Sequence, residues 1–174
     1  GICETDYGDA ADPAYPSLRS NNGANHIYFD REWLGTDVDG ENDSLQVNND
    51  QRDDGVVFSG SVEAGVPVDI EVTASVLHAA DAGRYNPADP AKRLYLNAWL
   101  DWNNDGDWND AGEKIIGNGS GVTYPGYSSN TVTIDPTVQF AIGEDSKTYT
   151  FTITPPSDWP IGSYARFRLD YGGD

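Results

Sequence analysis

From Val56 onward, apolar side chains recur at every second position in short runs. Val66, Val68, Ile70, Val72, Ala74 and Val76 form the longest series. A period of two puts them on one face of a strand, because successive Cβ atoms point to opposite faces. Val56-Val57-Phe58 opens an earlier strand. A later one runs over 94–102, with Tyr95, Asn97 and Trp99 sharing a face. Lys114-Ile115-Ile116 and Thr131 to Ile134 read as short strands. Tyr149, Phe151 and Ile153 alternate with Thr148, Thr150 and Thr152. In the last run, Ala165, Phe167 and Leu169 are expected to point inward, and Tyr164, Arg166 and Arg168 outward. Loops at 79–92, rich in Ala, Asp and Pro, and at 117–130, rich in Gly and Ser, separate the runs. No stretch keeps the helical period over a normal helix length. Short strands joined by turn-rich loops predict an all-β, antiparallel β-sandwich of jelly-roll or Ig-like type.

Residues 1–55 behave differently. Gly, Asp, Asn and Pro occur throughout, with short apolar pieces at Ile27-Tyr28-Phe29 and Trp33-Leu34. This reads as a long irregular acidic segment leading a single domain, 1–174, whose main strands lie in 56–174. A segment of that length inside a compact domain is usually functional or held by something. Bound ions are the candidate here.

Charge sharpens that expectation. The 174 residues include 29 acids against 10 Lys and Arg, a formal net charge of -19. Self-repulsion of this size destabilises a compact state unless cations offset it. The acids cluster at Asp6 to Asp12, Asp37 to Asp54 and Asp101 to Glu113 rather than coating the chain evenly. Nucleic acid is excluded as a partner, since phosphate binding needs a basic face. No apolar run is long enough to span a bilayer, and the chain starts with neither Met nor a signal peptide, which reads as a mature or excised piece. Cys3 is the lone cysteine, a spare thiol, an intermolecular link or half of a bridge to a segment outside this sequence. Asn42-Asp43-Ser44 and Asn118-Gly119-Ser120 match the N-glycosylation triplet, which arises often by chance.

The third cluster carries the clearest chemistry. In Asp101 to Glu113, DWNNDGDWNDAGE, oxygen-bearing side chains fall at Asp101, Asn103, Asp105, Asp107, Asn109, Asp110 and Glu113 around Gly106. Ca²⁺ takes six to eight oxygen ligands, and this spacing lets one short segment curl around the ion. Asp107 is placed to offer its backbone carbonyl, as position seven of such loops does. An EF-hand closes with an acid at position twelve, which is Gly112 here. The closing ligand is therefore Asp110, Glu113 or a residue from elsewhere. The flanks are strands, not helices. The competing reading is an acidic surface turn, which would hold five carboxylates in thirteen residues against mutual repulsion. Calcium fits the spacing better, and a weak loop of this kind needs millimolar calcium and so an extracellular setting.

A second cation site is predicted among Asp6, Asp9, Asp37, Asp39, Glu41, Asp53 and Asp54, where acids lie close in sequence. Its rival is Asx-turn chemistry, in which such side chains cap their own turns. Enzyme readings find little support. His26 and His78 have no zinc spacing, and no nucleophile elbow or phosphate loop occurs. Aromatics are plentiful, and Trp108, Tyr124 and Tyr127 are candidates for stacking on sugar rings. Trp99 or Trp102 can fill the core, and since they lie on opposite faces of one strand, at least one is expected to face out or toward a loop. At least one of Arg166 and Arg168 is expected to pair with an acidic group, first of all one from the N-terminal loops.

Six blocks, in order, give the chain a resemblance. They are Asp6-Tyr7-Gly8-Asp9-Ala10 with Pro13 and Tyr15-Pro16, Asn22 to His26, and Leu34 to Glu41. Asp53-Asp54-Gly55-Val56, Trp99 to Glu113 and Tyr164 to Leu169 complete the series. Together they resemble the GEVED domain of secreted and surface-attached bacterial proteins. Asn25 stands where that family usually has Arg, and the family's Gly-Glu-Val-Glu-Asp motif does not follow the last strand. The resemblance implies a β-sandwich with an accessory role, and fold alone does not fix a ligand. The resulting expectation is a non-catalytic, calcium-binding extracellular module for cell-surface adhesion or assembly. A carbohydrate-binding module and a structural subunit of a surface layer or filament are the alternatives. Cell-surface glycans or other copies of the chain are the expected partners, with no membrane insertion.

Overall fold

The structure, a computed structural model, describes residues 5–27, 31–38, 40–44, 52, 54–77, 86, 88–110, 112–117, 137–138, 140, 145–160 and 162–171. Cys3, Asp39, Asp53, His78, Tyr124, Tyr127 and the strand expected at 131–134 lie outside the described residues.

All paired strands are antiparallel. One sheet is built on β5 (Val68–Val76), which pairs β9 (Ser146–Ile153) on one side. On its other side it pairs β4 (Val56–Phe58) and then β3 (Glu32–Leu34). The second sheet is built on β6 (Leu94–Leu100), which pairs β10 (Ala165–Asp170), β7 (Lys114–Ile116) and β8 (Thr137–Val138). A separate ribbon joins β1 (Thr5–Tyr7) to β2 (Asn25–Ile27). Two short 3-10 turns, Arg19–Asn21 and Pro90–Lys92, are the helical pieces among the described residues.

One core lies between the two sheets. Val68, Ile70, Val72, Ala74 and Val76 from β5 meet Leu94, Leu96, Ala98 and Leu100 from β6. Phe151, Ile153 and Leu169 close it from the flanking strands. The sandwich is therefore the one its period-two pattern predicts. The alternating series begins two residues earlier in sequence than the strand does in structure. Pro67 has no N–H for a ladder, and Val66 before it is exposed. The β6 strand likewise ends at Leu100, and Trp102 turns back into the core. Trp99 stays on the outer face, half-buried.

The acidic N-terminal segment is not without strands. β1 and β2 pair across Asp6 and His26, and β3 joins the edge of the β5 sheet. These strands are three residues each, too short for a periodic signal to stand out.

The last strand has the faces that its alternation predicts. Leu169 is buried, and Ala165 and Phe167 pack partly buried on the core. Phe167 meets Phe58 edge-on at 6.5 Å. The expected pairing with an acidic group forms, but the acid does not come from the N-terminal loops. Arg168 instead pairs with Asp170, two residues on along its own strand, at 3.1 Å. Arg166 lies over the rings of Trp99 and Trp108, at 5.7 and 5.4 Å. A side chain two residues away on one strand face is nearer than any loop, so the local carboxylate wins.

Truncating Leu169 to Ala should cost about 2–5 kcal/mol, with Phe167→Ala near the low end of the range for its half-buried ring. Arg168→Ala should cost less than about 1 kcal/mol, because its ion pair is largely solvated. Urea unfolding of the three variants tests the order. Equal losses at 168 and 169 would reverse the strand's faces.

Candidate metal centre

The acidic loop spans the gap between β6 and β7, and backbone bonds set its two ends. Leu100 N donates to Glu113 O at 2.8 Å, and Asp101 N to Tyr164 O at 3.1 Å. Trp102 Nε1 donates to Gly112 O at 2.9 Å, which pins the residue before Glu113. The loop's start and finish are thus stapled to each other and to the strand leading into β10.

Between the ends, side chains cap the turns. Asp105 N donates to Asn103 Oδ1 at 3.1 Å, Asp107 N to Asp105 Oδ1 at 3.2 Å, and Asn109 N to Asp107 Oδ1 at 2.8 Å. This is the i to i+2 bonding that Asn and Asp favour in turns. Asn104 and Gly106 take positive φ, 57° and 93°, and Gly106 does so without a Cβ to strain. Asp101 then accepts from the N–H groups of Asp105 and Gly106 at 3.3 and 3.0 Å.

Three carboxylates converge as a result. One oxygen each from Asp101, Asp105 and Glu113 lies within 4.8 Å of the others. Asp101 and Glu113 are 0% and 1% exposed, while Asp105 is open to solvent. Glu113 Oε2 accepts from Asp110 N at 3.0 Å, but its Oε1 is buried with no hydrogen-bond partner among the described residues. Burial pushes the Glu113 carboxyl up to about 7, and the charges of Asp101, Asp110 and Asp105 push the same way. Asn103 Nδ2 donates to Asp105 at 2.9 Å and to Asp110 at 2.6 Å, which places both at the rim of the cluster. Asp107 and Asn109 are exposed, and the Asp107 carboxylate is committed to its turn. Of the two acids in the loop left open as its closing residue, Glu113 joins the trio.

A residue that the periodic pattern gives no hint of completes this site. Tyr15 is 3% exposed, and its hydroxyl donates to Asp101 Oδ2. Its ring sits between Trp108 and Tyr164, with centroids 4.8 Å away on each side. Burial, and then the bond to Asp101, raise its phenol well above the ordinary value. Trp108 is therefore half-buried in a stack with Tyr15 and Arg166, not the exposed sugar platform expected of it.

The predicted second site does not assemble in the same way. Asp37 pairs with Arg52 at 2.9 Å, both exposed. Asp54 caps the turn at Thr36, accepting from its N at 2.8 Å and from its hydroxyl. The hydroxyl bond leads the causes that hold Asp54 below the usual carboxylate range. Glu41 accepts from Tyr7 N at 3.4 Å. Asp6 and Asp9 are partly buried near β1. Among the described residues, Asp101, Asp105 and Glu113 form the one group of three or more His, Cys, Asp or Glu side chains close enough to share an ion. Turn capping accounts for Asp54, and also for Asp12, which accepts from Ser17 N and Leu18 N at 3.1 and 3.2 Å.

Residues 95–174 match the GEVED domain family model. The match covers just under half of the chain and contains the acidic loop, β7 and β10. The GEVED resemblance read from sequence therefore holds over these residues, while the blocks from Asp6 to Val56 precede the matched region. No curated protein matches the chain. No solved structure matches it either.

Two outcomes follow from this geometry. Tyr15→Phe should lose about 1.5–3 kcal/mol, because it removes a buried hydrogen bond to a charged group. In chelator, stability should fall as pH rises from about 4.5 to about 7. The carboxyl of Glu113 ionises later in the folded chain than in the unfolded one, so folding is favoured where it is protonated. Glu113→Gln should flatten that part of the profile, and an unchanged slope in thermal melts would refute it.

Proposed function

We propose that Asp101, Asp105 and Glu113 hold a calcium ion, with Asn103 and Asp110 beside them and the Asp107 carbonyl within the same loop. The buried, unpartnered Oε1 of Glu113 carries this reading. Two nearly fully buried carboxylates next to a third need a counter-charge, and all the donors are oxygen, which suits a hard cation. The nearest bound donors, N–H groups of the loop, satisfy part of Asp101 but leave Glu113 half satisfied. The exposed side of Asp105 leaves room for water to complete a coordination shell.

The chain acts as a non-catalytic, extracellular β-sandwich module whose work is adhesion or assembly at a cell surface. The GEVED match supports the module reading, and no helix among the described residues is long and apolar enough to cross a membrane. Assembly is favoured over sugar binding by two observations. Trp108 is packed away in its stack. Among the described residues β10 is also an edge strand: Tyr164 O bonds inward to β6, so Ala165, Phe167 and Leu169 turn their N–H and C=O groups the other way. A cleft of about 790 Å³ follows that edge, walled by β1, β2 and β3. Open edges are templates for strand addition.

Calorimetry on chelated protein should show heat on adding calcium, and a hundredfold excess over the dissociation constant should add about 3 kcal/mol of stability. Asp105→Ala should lose that gain in calcium yet be neutral or stabilising in chelator, where it relieves repulsion. No heat and no shift in melting would end the calcium reading. Equal losses with and without calcium would make Asp105 a purely structural turn residue.

A further inference from the structure

The outer face of β6 carries a polar group that the acidic loop does not use. Asn97 is 0% exposed, although Tyr95 and Trp99 on the same face are only half-buried. Its Nδ2 donates to Asp170 Oδ2 at 3.2 Å on neighbouring β10. Its Oδ1 is buried and has no hydrogen-bond partner among the described residues. A buried amide carbonyl left this way is uncommon, and it calls for an explanation.

Lys114 approaches the same amide from the other neighbour, β7. It pairs with Trp99 in the ladder, and its Nζ lies 5.3 Å from the centre of the Trp99 ring. Gly117 marks how closely the groups are gathered. A Cβ at that position would sit 2.6 Å from Asn97 Oδ1, 2.9 Å from Lys114 Nζ and 2.2 Å from Lys114 Cε. Any side chain there would displace the lysine or the amide, so the glycine is what leaves room for both at one point of the face. An amine, a buried amide and a carboxylate bonded to that amide's nitrogen thus stand on three adjacent strands.

We propose that Lys114 and Asn97 become joined by an intramolecular amide bond, with Asp170 carrying the proton. The free amine of Lys114 adds to Asn97 Cγ, forming the Nζ–Cγ bond. In the tetrahedral adduct both nitrogens sit on one carbon, and Asp170 already touches one of them. Its carboxylate takes a proton from Nζ and delivers it to Nδ2. The Cγ–Nδ2 bond then breaks, and ammonia leaves. Starting from the lysine ammonium, the balance is one amide plus one ammonium giving one substituted amide plus one ammonium ion. No oxidant, nucleotide or metal is needed. Arg168 holds Asp170 in place at 3.1 Å. Proximity of this kind replaces a bimolecular aminolysis by an intramolecular one, which is where the rate comes from. The bond closes a covalent ring around residues 98–113, so the acidic loop is clamped at its base whether or not an ion is bound.

Mass spectrometry of the intact chain tests this directly. The expected mass is that of the sequence less one ammonia. Proteolysis should yield a branched peptide joining the segment with Asn97 to the segment with Lys114. Lys114→Arg, which keeps the charge, and Asp170→Asn, which keeps the shape, should both restore the full mass and the separate peptides. Succinimide formation at Asn22-Gly23 or Asn118-Gly119 would also release one ammonia. Loss that persists in Lys114→Arg therefore overturns the proposal. A wild-type chain at full mass that gives unbranched peptides overturns it as well, and a branched peptide in Asp170→Asn removes Asp170 from the chemistry.

Discussion

Two carboxylates taken out of water beside each other, Asp101 and Glu113, impose the constraint on which this structure turns. Burying an ionised acid costs several kcal/mol unless hydrogen bonds or an opposite charge compensate. Asp101 is compensated by three donors: Asp105 N, Gly106 N and the Tyr15 hydroxyl. They come from two places in the chain's folding logic. The first two require the loop to curl with Asn104 and Gly106 at positive φ. The third requires the N-terminal segment to lie across the loop. The carboxylate at the end of β6 therefore dictates both the loop's shape and where a segment some eighty residues earlier must dock.

That docking gives the irregular segment its place. It has few core contacts of its own; Tyr7 and Tyr15 are its buried apolar residues among those described. Tyr15 stacks between Trp108 of the loop and Tyr164 ahead of β10. Side chains such as Asp12 and Asp43 then cap its turns, and β3 anchors its far end to the β5 sheet. An ion shared by the acid trio would keep Asp101 ionised and fixed in place, and so favour the docked segment. The coupling would be local, carried by one hydrogen bond and one aromatic stack.

The strands were the legible part of the sequence, because burial on one face writes a period of two. β5, β6, β9 and β10 all show it, and each has the inward residues that the alternation names. Short strands escaped. β1, β2 and β3 are three residues each, and no periodicity can be read from so few. The loop's acids were legible as a spacing, but not which of them converge. Asp107 and Glu113 are set apart by what the backbone does around them: one carboxylate caps its own turn, the other is drawn inside by the β6–β7 ladder. Tyr15 was invisible except as part of a family block, since its partner lies in another cluster. Trp108 misled because a tryptophan in an acidic loop looks exposed until the segment that covers it is known. Arg168 does find an acid, as its place in an acidic chain suggests, but two residues away on its own strand.

The loop's position also explains why the acids can be tolerated at all. Glu113 O and Tyr164 O bond to Leu100 and Asp101, so the loop ends share the hydrogen-bond ladder of β6, β7 and the approach to β10. The rigid part of the fold thus holds the charges together, while the exposed middle, Asn103 to Asp110, absorbs the conformational cost with turn residues. Repulsion concentrated in a stapled loop cannot be relieved by drifting apart. It can be relieved by a proton on Glu113, by a cation, or by local opening of the loop and the segment stacked on it. The first is available near neutral pH, the second wherever a cation that suits oxygen ligands is plentiful. The third is the weakest unit of the fold, because it breaks few apolar contacts. With calcium bound as proposed, such a module would be firm, and without it the loop would loosen first at Tyr15, leaving the two sheets and their shared core intact.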